Sequence, residues 1–154
     1  MRRPAQLVAT VIVAVSVLTG CATSGADEAG FGLGALATQE AHAALERAGV
    51  TAEELRGTLL VRSDGCFTWS GDEGDGAWIV WPDSAVPDPD DGGRVVLPGG
   101  SVVSDGSTLS GQGSLVTLAD LPDGGSPDSY FGSFGGFCDA DTRGVILLTD
   151  VAPG

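Results

Sequence analysis

The sequence predicts a mainly β fold, a small antiparallel barrel or sandwich, preceded by one short α-helix. Three observations lead there. From Gly57 onward the bulky apolar residues come in runs of four to six, strand-sized rather than helix-sized. Gly, Asp, Ser and Pro cluster between those runs, and 25 of the 154 residues are glycine, as in a turn-rich β chain. Among long segments, Thr38 to Ala48 carries an apolar stripe at helical spacing.

The chain starts with Arg2 and Arg3, an uncharged and mostly apolar stretch from Leu7 to Leu18, and a small-residue exit at Thr19-Gly20. That is the layout of a secretory signal peptide. As a helix the apolar stretch would rise roughly 18 Å, short of the about 30 Å of a hydrocarbon core, so removal is expected rather than spanning. Pro4, Ala5 and Gln6 do not fit a twin-arginine signal, which leaves ordinary secretion. Leu18-Thr19-Gly20-Cys21 resembles the lipobox of bacterial lipoproteins. The resemblance implies that residues 1–20 are cleaved as a signal peptide and that the Cys21 sulfur receives a diacylglycerol. It also implies anchoring by acyl chains on the extracytoplasmic face of the cell membrane.

Charge agrees with that address. Loss of residues 1–20 removes two of the seven arginines and no acid, leaving 134 residues with a formal charge of −16 and no lysine. A chain this acidic is repelled by phosphates, so nucleic-acid binding is not expected. A polybasic membrane anchor is excluded on the same ground, and acyl chains would supply the attachment. The length suits one domain with a real core. The all-arginine basic set, with heavy use of Ala, Gly, Val and Asp, resembles the usage of high-GC bacteria such as actinomycetes.

Residues 21–37 are small and Gly-rich, the composition of a flexible tether. Residues 22–37 would span roughly 20–25 Å as a coil and lift the domain off the headgroups. Residues 38–154 then form one β-rich domain with an N-terminal helix. In that helix Thr38 can cap, Glu40 places charge in the first turn, and Ala41, Ala44, Leu45 and Ala48 make the stripe. Arg47 and Gly49 mark its end. Thr51-Ala52-Glu53-Glu54 has the form of a capping box and predicts one further helical turn, ending near Arg56-Gly57.

The expected strands are Thr58–Arg62, Cys66–Ser70, Ala77–Trp81, Arg94–Leu97, Ser101–Val103, Ser114–Ala119 and Gly144–Thr149, with another near Leu109. Ser63-Asp64-Gly65 reads as a tight hairpin turn and Asp105-Gly106 as another. Ile79-Val80-Trp81 and Val145–Leu148 are apolar on both faces and belong in the middle of the core. With Cys21 taken by lipid, Cys66 and Cys138 are the one possible pair in an oxidising compartment. Their bridge would contribute on the order of 4 kcal/mol by the chain-entropy account, which is model-dependent. A metal site or two free thiols are the alternatives; two cysteines and one distant histidine fall short of a four-ligand zinc set.

Gly57-x-Leu59-x-Val61, Gly65-Cys66-Phe67, Trp81-Pro82, Gly111, Val116-x-Leu118 and the late Cys138 resemble a pattern in small secreted β-domains of bacterial lipoproteins. Some of those domains are OB-like. The resemblance covers Gly57 to Thr149 and carries no activity and no catalytic residues with it.

Candidate chemistry is sparse. His42, the one histidine, lies on the N-terminal helix with Glu46 one turn away and reads as an exposed helical residue. Gly132-Ser133-Phe134-Gly135 lacks the first glycine of a nucleophile elbow, Phe131 standing in its place. From Asp88, the fifth and twelfth positions of a calcium loop are Gly92 and Gly99, so the acidic loops read as solvated turns. Neither a metal nor a cofactor is expected. Tyr130, Phe131, Phe134 and Phe137 crowd one Gly-rich segment and form a candidate binding surface, although with only nine aromatics in all the core is the favoured use for these rings. The expectation is a lipid-anchored, non-enzymatic binding or accessory module with an envelope protein or glycan as partner. A glycan- or calcium-binding module and a hydrolase using paired carboxylates are the alternatives.

Overall fold

The computed structural model describes residues 33–154. The signal peptide expected over 1–20 and the lipidation expected at Cys21 lie outside the described residues. Among the described residues no helix is long and apolar enough to cross a membrane.

The chain enters as a short strand, β1 (Gly34–Leu36), followed by helix α1 (Thr38–Ala48). Residues 34–36, inside the expected tether 21–37, are instead a strand of the sheet; residues 21–32 of that segment lie outside the described residues. β1 forms there because its backbone finds an open edge on the strand Trp78–Pro82 (β4), and Leu36 drops into the core beneath it. The α1 boundaries are those expected, with one difference at the start: Ala37 is the N-cap, and Thr38 is the first helical residue. At the other end Gly49 takes the left-handed conformation (φ 70°), and its N–H and that of Val50 satisfy the last carbonyls. Arg47 donates from Nε and Nη2 to the Asp120 carbonyl at 2.9 and 2.7 Å, tying α1 to a residue 73 positions on.

The predicted second helical turn does not form. Glu53–Val61 is a strand, β2, paired over Glu53–Thr58 with the first part of Thr108–Val116 (β8) and over Thr58–Val61 with Phe67–Ser70 (β3). A capping box fixes at most two backbone donors. Here Leu55 and Leu59, four residues apart on one side of the strand, reach the barrel interior instead. The turn at 62–66 is as expected, with Gly65 at φ 87°.

Five strands close into a barrel. β2 pairs antiparallel with β3, β3 with β4 at Thr68 and Trp78, and β2 with β8. β8 pairs antiparallel with Val145–Pro153 (β9), and β9 pairs parallel with β4, which closes the ring. Five strands with one parallel closing pair suit the OB-like form of the expected barrel. A separate three-stranded sheet, β5 (Val86–Asp88), β6 (Asp91–Val96) and β7 (Val102–Val103), fills the connection from β4 to β8.

β4 and β9 bury both of their faces, as their sequences predict. Ile79, Trp81, Ile146 and Leu148 point into the lumen with Leu59, Phe67 and Trp69. Trp78, Val80, Val145 and Leu147 point outward under α1 and the chain around residues 118–140. All three tryptophans are fully buried, so the core claims them rather than a ligand.

The segment 117–144 differs most from the sequence reading. The strand expected to reach Ala119 stops at Val116, and a 3-10 turn (Leu118–Asp120) follows, with Thr117 and Asp120 forming a reciprocal capping box. The Gly-rich aromatic stretch is a helix, α2 (Tyr130–Phe137), and a four-residue helix, α3 (Ala140–Arg143), follows it. Three glycines make α2 a poor helix by propensity, each costing about 1 kcal/mol against alanine. Tertiary contacts offset this. The Ser129 hydroxyl accepts from the Gly132 N–H at 2.9 Å, capping the start. Gly132 and Gly135 are where the helix meets its neighbours closely: a Cβ on the first would strike the Ser126 carbonyl, and on the second the Leu118 side chain. The glycines exist for close approach, not for flexibility.

Candidate functional site

Cys138 caps the C-terminal end of α2 and is bonded to Cys66, the residue just before β3, with S–S 2.06 Å and Cα–Cα 5.7 Å. Both cysteines are fully buried. The disulfide thus pins the helical segment between β8 and β9 to the hairpin turn between β2 and β3. Beside it an ionic clasp makes the same connection on the surface. Arg62 donates from Nη2 to Asp64 at 2.7 Å and from Nη1 to Asp139 at 2.8 Å. The hydrogen bond to Asp139 holds the Arg62 guanidinium above its ordinary pKa, with the nearby Asp64 charge adding to it against a modest loss of hydration. Asp139 adopts the left-handed conformation (φ 59°), which lets the residue after the cysteine turn its carboxylate back toward Arg62.

These connections wall a surface groove of about 280 Å³ lined by Leu60, Arg62, Thr68, Asp75, Asp139 and Arg143. Thr68 is buried, and its hydroxyl donates to the Leu60 carbonyl at 3.3 Å, while Leu60 itself is 38% exposed. The Asp75 carboxylate accepts from the Ser70 hydroxyl at 2.8 Å. Arg143 differs from the other described arginines. Arg47, Arg56, Arg62 and Arg94 all have hydrogen-bonded or ion-paired side chains. The Arg143 guanidinium lies over Gly76 with no hydrogen-bond or ion-pair partner among the described residues. The groove therefore offers one apolar side chain, Leu60, two carboxylates already partnered by Ser70 and Arg62, and one uncommitted cation.

The sequence-predicted binding surface splits. Phe131 is buried against Trp78, with ring centroids 6.4 Å apart. Phe134 is half-buried, 6.5 Å from Trp78 and stacked on Tyr130 at 5.4 Å. Tyr130 is 55% and Phe137 60% exposed. Spacings of four and seven residues put Tyr130, Phe134 and Phe137 on one side of α2, while Phe131 anchors the other. The Tyr130 hydroxyl donates to the Leu33 carbonyl at 3.3 Å, at the first described residue.

In the acidic loops the carboxylates serve local turns. Asp88 accepts from the Asp90 N–H at 3.0 Å and Asp91 from the Gly93 N–H at 2.9 Å, with Arg94 3.0 Å from Asp91. Among the described residues no group of three or more His, Cys, Asp and Glu side chains is placed to hold a metal ion. His42 is exposed on α1, and Ser133 sits mid-helix on α2 rather than at a strand-to-helix elbow.

Sequence reasoning missed the groove. Its residues are scattered from 60 to 143, and the one available signal was the scarcity of arginine in so acidic a chain. No family model matches the chain, nor does any curated protein or any solved structure.

Proposed function

We propose that the mature chain is a lipid-anchored, extracytoplasmic binding module that takes a carboxylate-bearing peptide segment of an envelope protein in the groove beside its disulfide. The anchor reading rests on Leu18–Cys21 and on the charge that excludes a basic tether. A buried disulfide accords with an oxidising compartment outside the cytoplasm. The single observation that carries the binding reading is Arg143, a cation left without a carboxylate in a chain with three acids for every arginine. An incoming carboxylate would pair with it directly. Leu60 would receive an apolar side chain, and the absence of an aromatic platform in the groove favours a peptide over a glycan. Rigid walls on both sides lower the ordering cost of binding.

A photoreactive residue at Leu60, expressed in the native envelope, tests this. One discrete protein adduct that disappears on Arg143→Ala is the expected result. No adduct, or an adduct indifferent to Arg143, defeats the reading. Membrane fractionation of Cys21→Ser checks the anchor separately: it should leave the mature membrane-bound pool.

A further inference from the structure

We propose that the Tyr130–Phe134–Phe137 ridge is a lipid-contact surface that seats in the headgroup–acyl boundary of the membrane holding the Cys21 anchor. The inference rests on the anchor reading and adds to it an orientation for the whole domain.

The ridge lies where the anchor would hold it. β1 begins at Gly34, and the Tyr130 hydroxyl bonds the Leu33 carbonyl, so the ridge stands beside the point at which the chain leads back to Cys21. Residues 22–32 remain as the link, eleven in all. Eleven residues reach at most about 40 Å, whatever their conformation. A short link of this kind holds the ridge at an effective concentration of order mM over the lipid surface, so a weak contact suffices.

The chemistry of the ridge also suits that surface. α2 carries no charged residue along its length, and its exposed rings are one tyrosine and one phenylalanine, about 10 Å apart along the helix. Aromatic rings with a polar edge are favoured at the membrane–water boundary. Three aromatics lined along one side of a helix form an apolar strip of the sort that solvent-facing surfaces rarely keep without use. Asp139, next to the end of the helix, has its charge matched by Arg62, which reduces repulsion from headgroup phosphates at that end. Phe131 and the buried disulfide hold the helix rigid beneath the ridge, so the rings are presented without being drawn into the core.

The test uses the mature lipidated chain in phosphatidylcholine vesicles whose acyl chains are brominated. Trp69, Trp78 and Trp81 are fully buried and give a constant background. Phe137→Trp reports the ridge, and Val102→Trp, on the separate three-stranded sheet, is the control. The expected result is emission from Phe137→Trp quenched about two-fold more than that from Val102→Trp. Equal quenching of the two, with the protein still on the vesicles, overturns the ridge contact and leaves the anchor standing. Failure of the unmodified mature chain to co-float with vesicles overturns both. Tyr130→Trp, at the other end of the ridge, supplies a second reporter should Phe137→Trp disturb the fold. A red shift of the buried tryptophans would reveal that disturbance.

Discussion

The barrel lumen and the helical cover share strands β4 and β9 but are built from different materials. The lumen packs Leu59, Phe67, Trp69, Ile79 and Trp81 inside a ring of backbone ladders. The cover places alanines of α1 and the glycine-bearing α2 over Trp78 and Val80, with a disulfide running through it. Large rings filling a closed space need no cross-link. Small residues bury little apolar surface apiece, at about 25 cal/mol per Å², and a covalent tie compensates. The cysteine pair therefore serves the cover first and the barrel second. The ridge lies on the pinned cover, and the groove lies where that cover meets the chain over residues 60–76.

Trp69→Ala should break the lumen with the largest effect, about 3–5 kcal/mol, as the cavity cannot collapse inside a closed ring. Urea unfolding should show one cooperative transition at a lower midpoint. The indole N–H of Trp69 has no hydrogen-bond partner, so Trp69→Phe should cost distinctly less than Trp69→Ala. Replacing both Cys66 and Cys138 by serine should cost about 2–5 kcal/mol, and here the two regions should separate. Hydrogen exchange is expected to rise first in residues 118–143, while amides of Ile79 and Ile146 stay protected. Uniform loss of protection would erase the distinction drawn above.

How far the sequence could be read follows the same division. The lumen strands were legible because short apolar runs between turn residues have few other interpretations. The two runs apolar on both faces foretold that something would cover the barrel from outside. What that cover would be was not legible. Tyr130–Phe137 has a composition that argues against a helix, and only the Ser129 cap, the Phe131 contact with Trp78 and the Cys138 tie make it one. Likewise Glu53 and Glu54 suit a helix start until β8 offers a partner. The groove combines residues 60–76 with 139–143, a pairing created by topology and invisible to spacing.

Smaller perturbations sharpen the contrast. Gly132→Ala should destabilise the cover by about 1–2 kcal/mol although alanine is the better helix former, because its Cβ meets the Ser126 carbonyl. A gain in thermal midpoint would refute the close-approach account of α2. Arg62→Ala should move stability least, about 0–1 kcal/mol, since the clasp is partly solvated and duplicates the disulfide. In the background lacking the disulfide the same change should matter more, a coupling readable by a double-mutant cycle.

The parallel pairing of β4 with β9 has a consequence for the order in which the protein can be made. β9 is the last strand to emerge, and without it β4 and β8 each lack a neighbour. A nascent chain halted anywhere before Val145 therefore holds no closed ring, and its dominant contacts are non-local and slow to form. This topology withholds the closed ring until the nine residues Val145–Pro153 have been made. Oxidation of Cys138 falls in the same late window, seven residues before that strand begins.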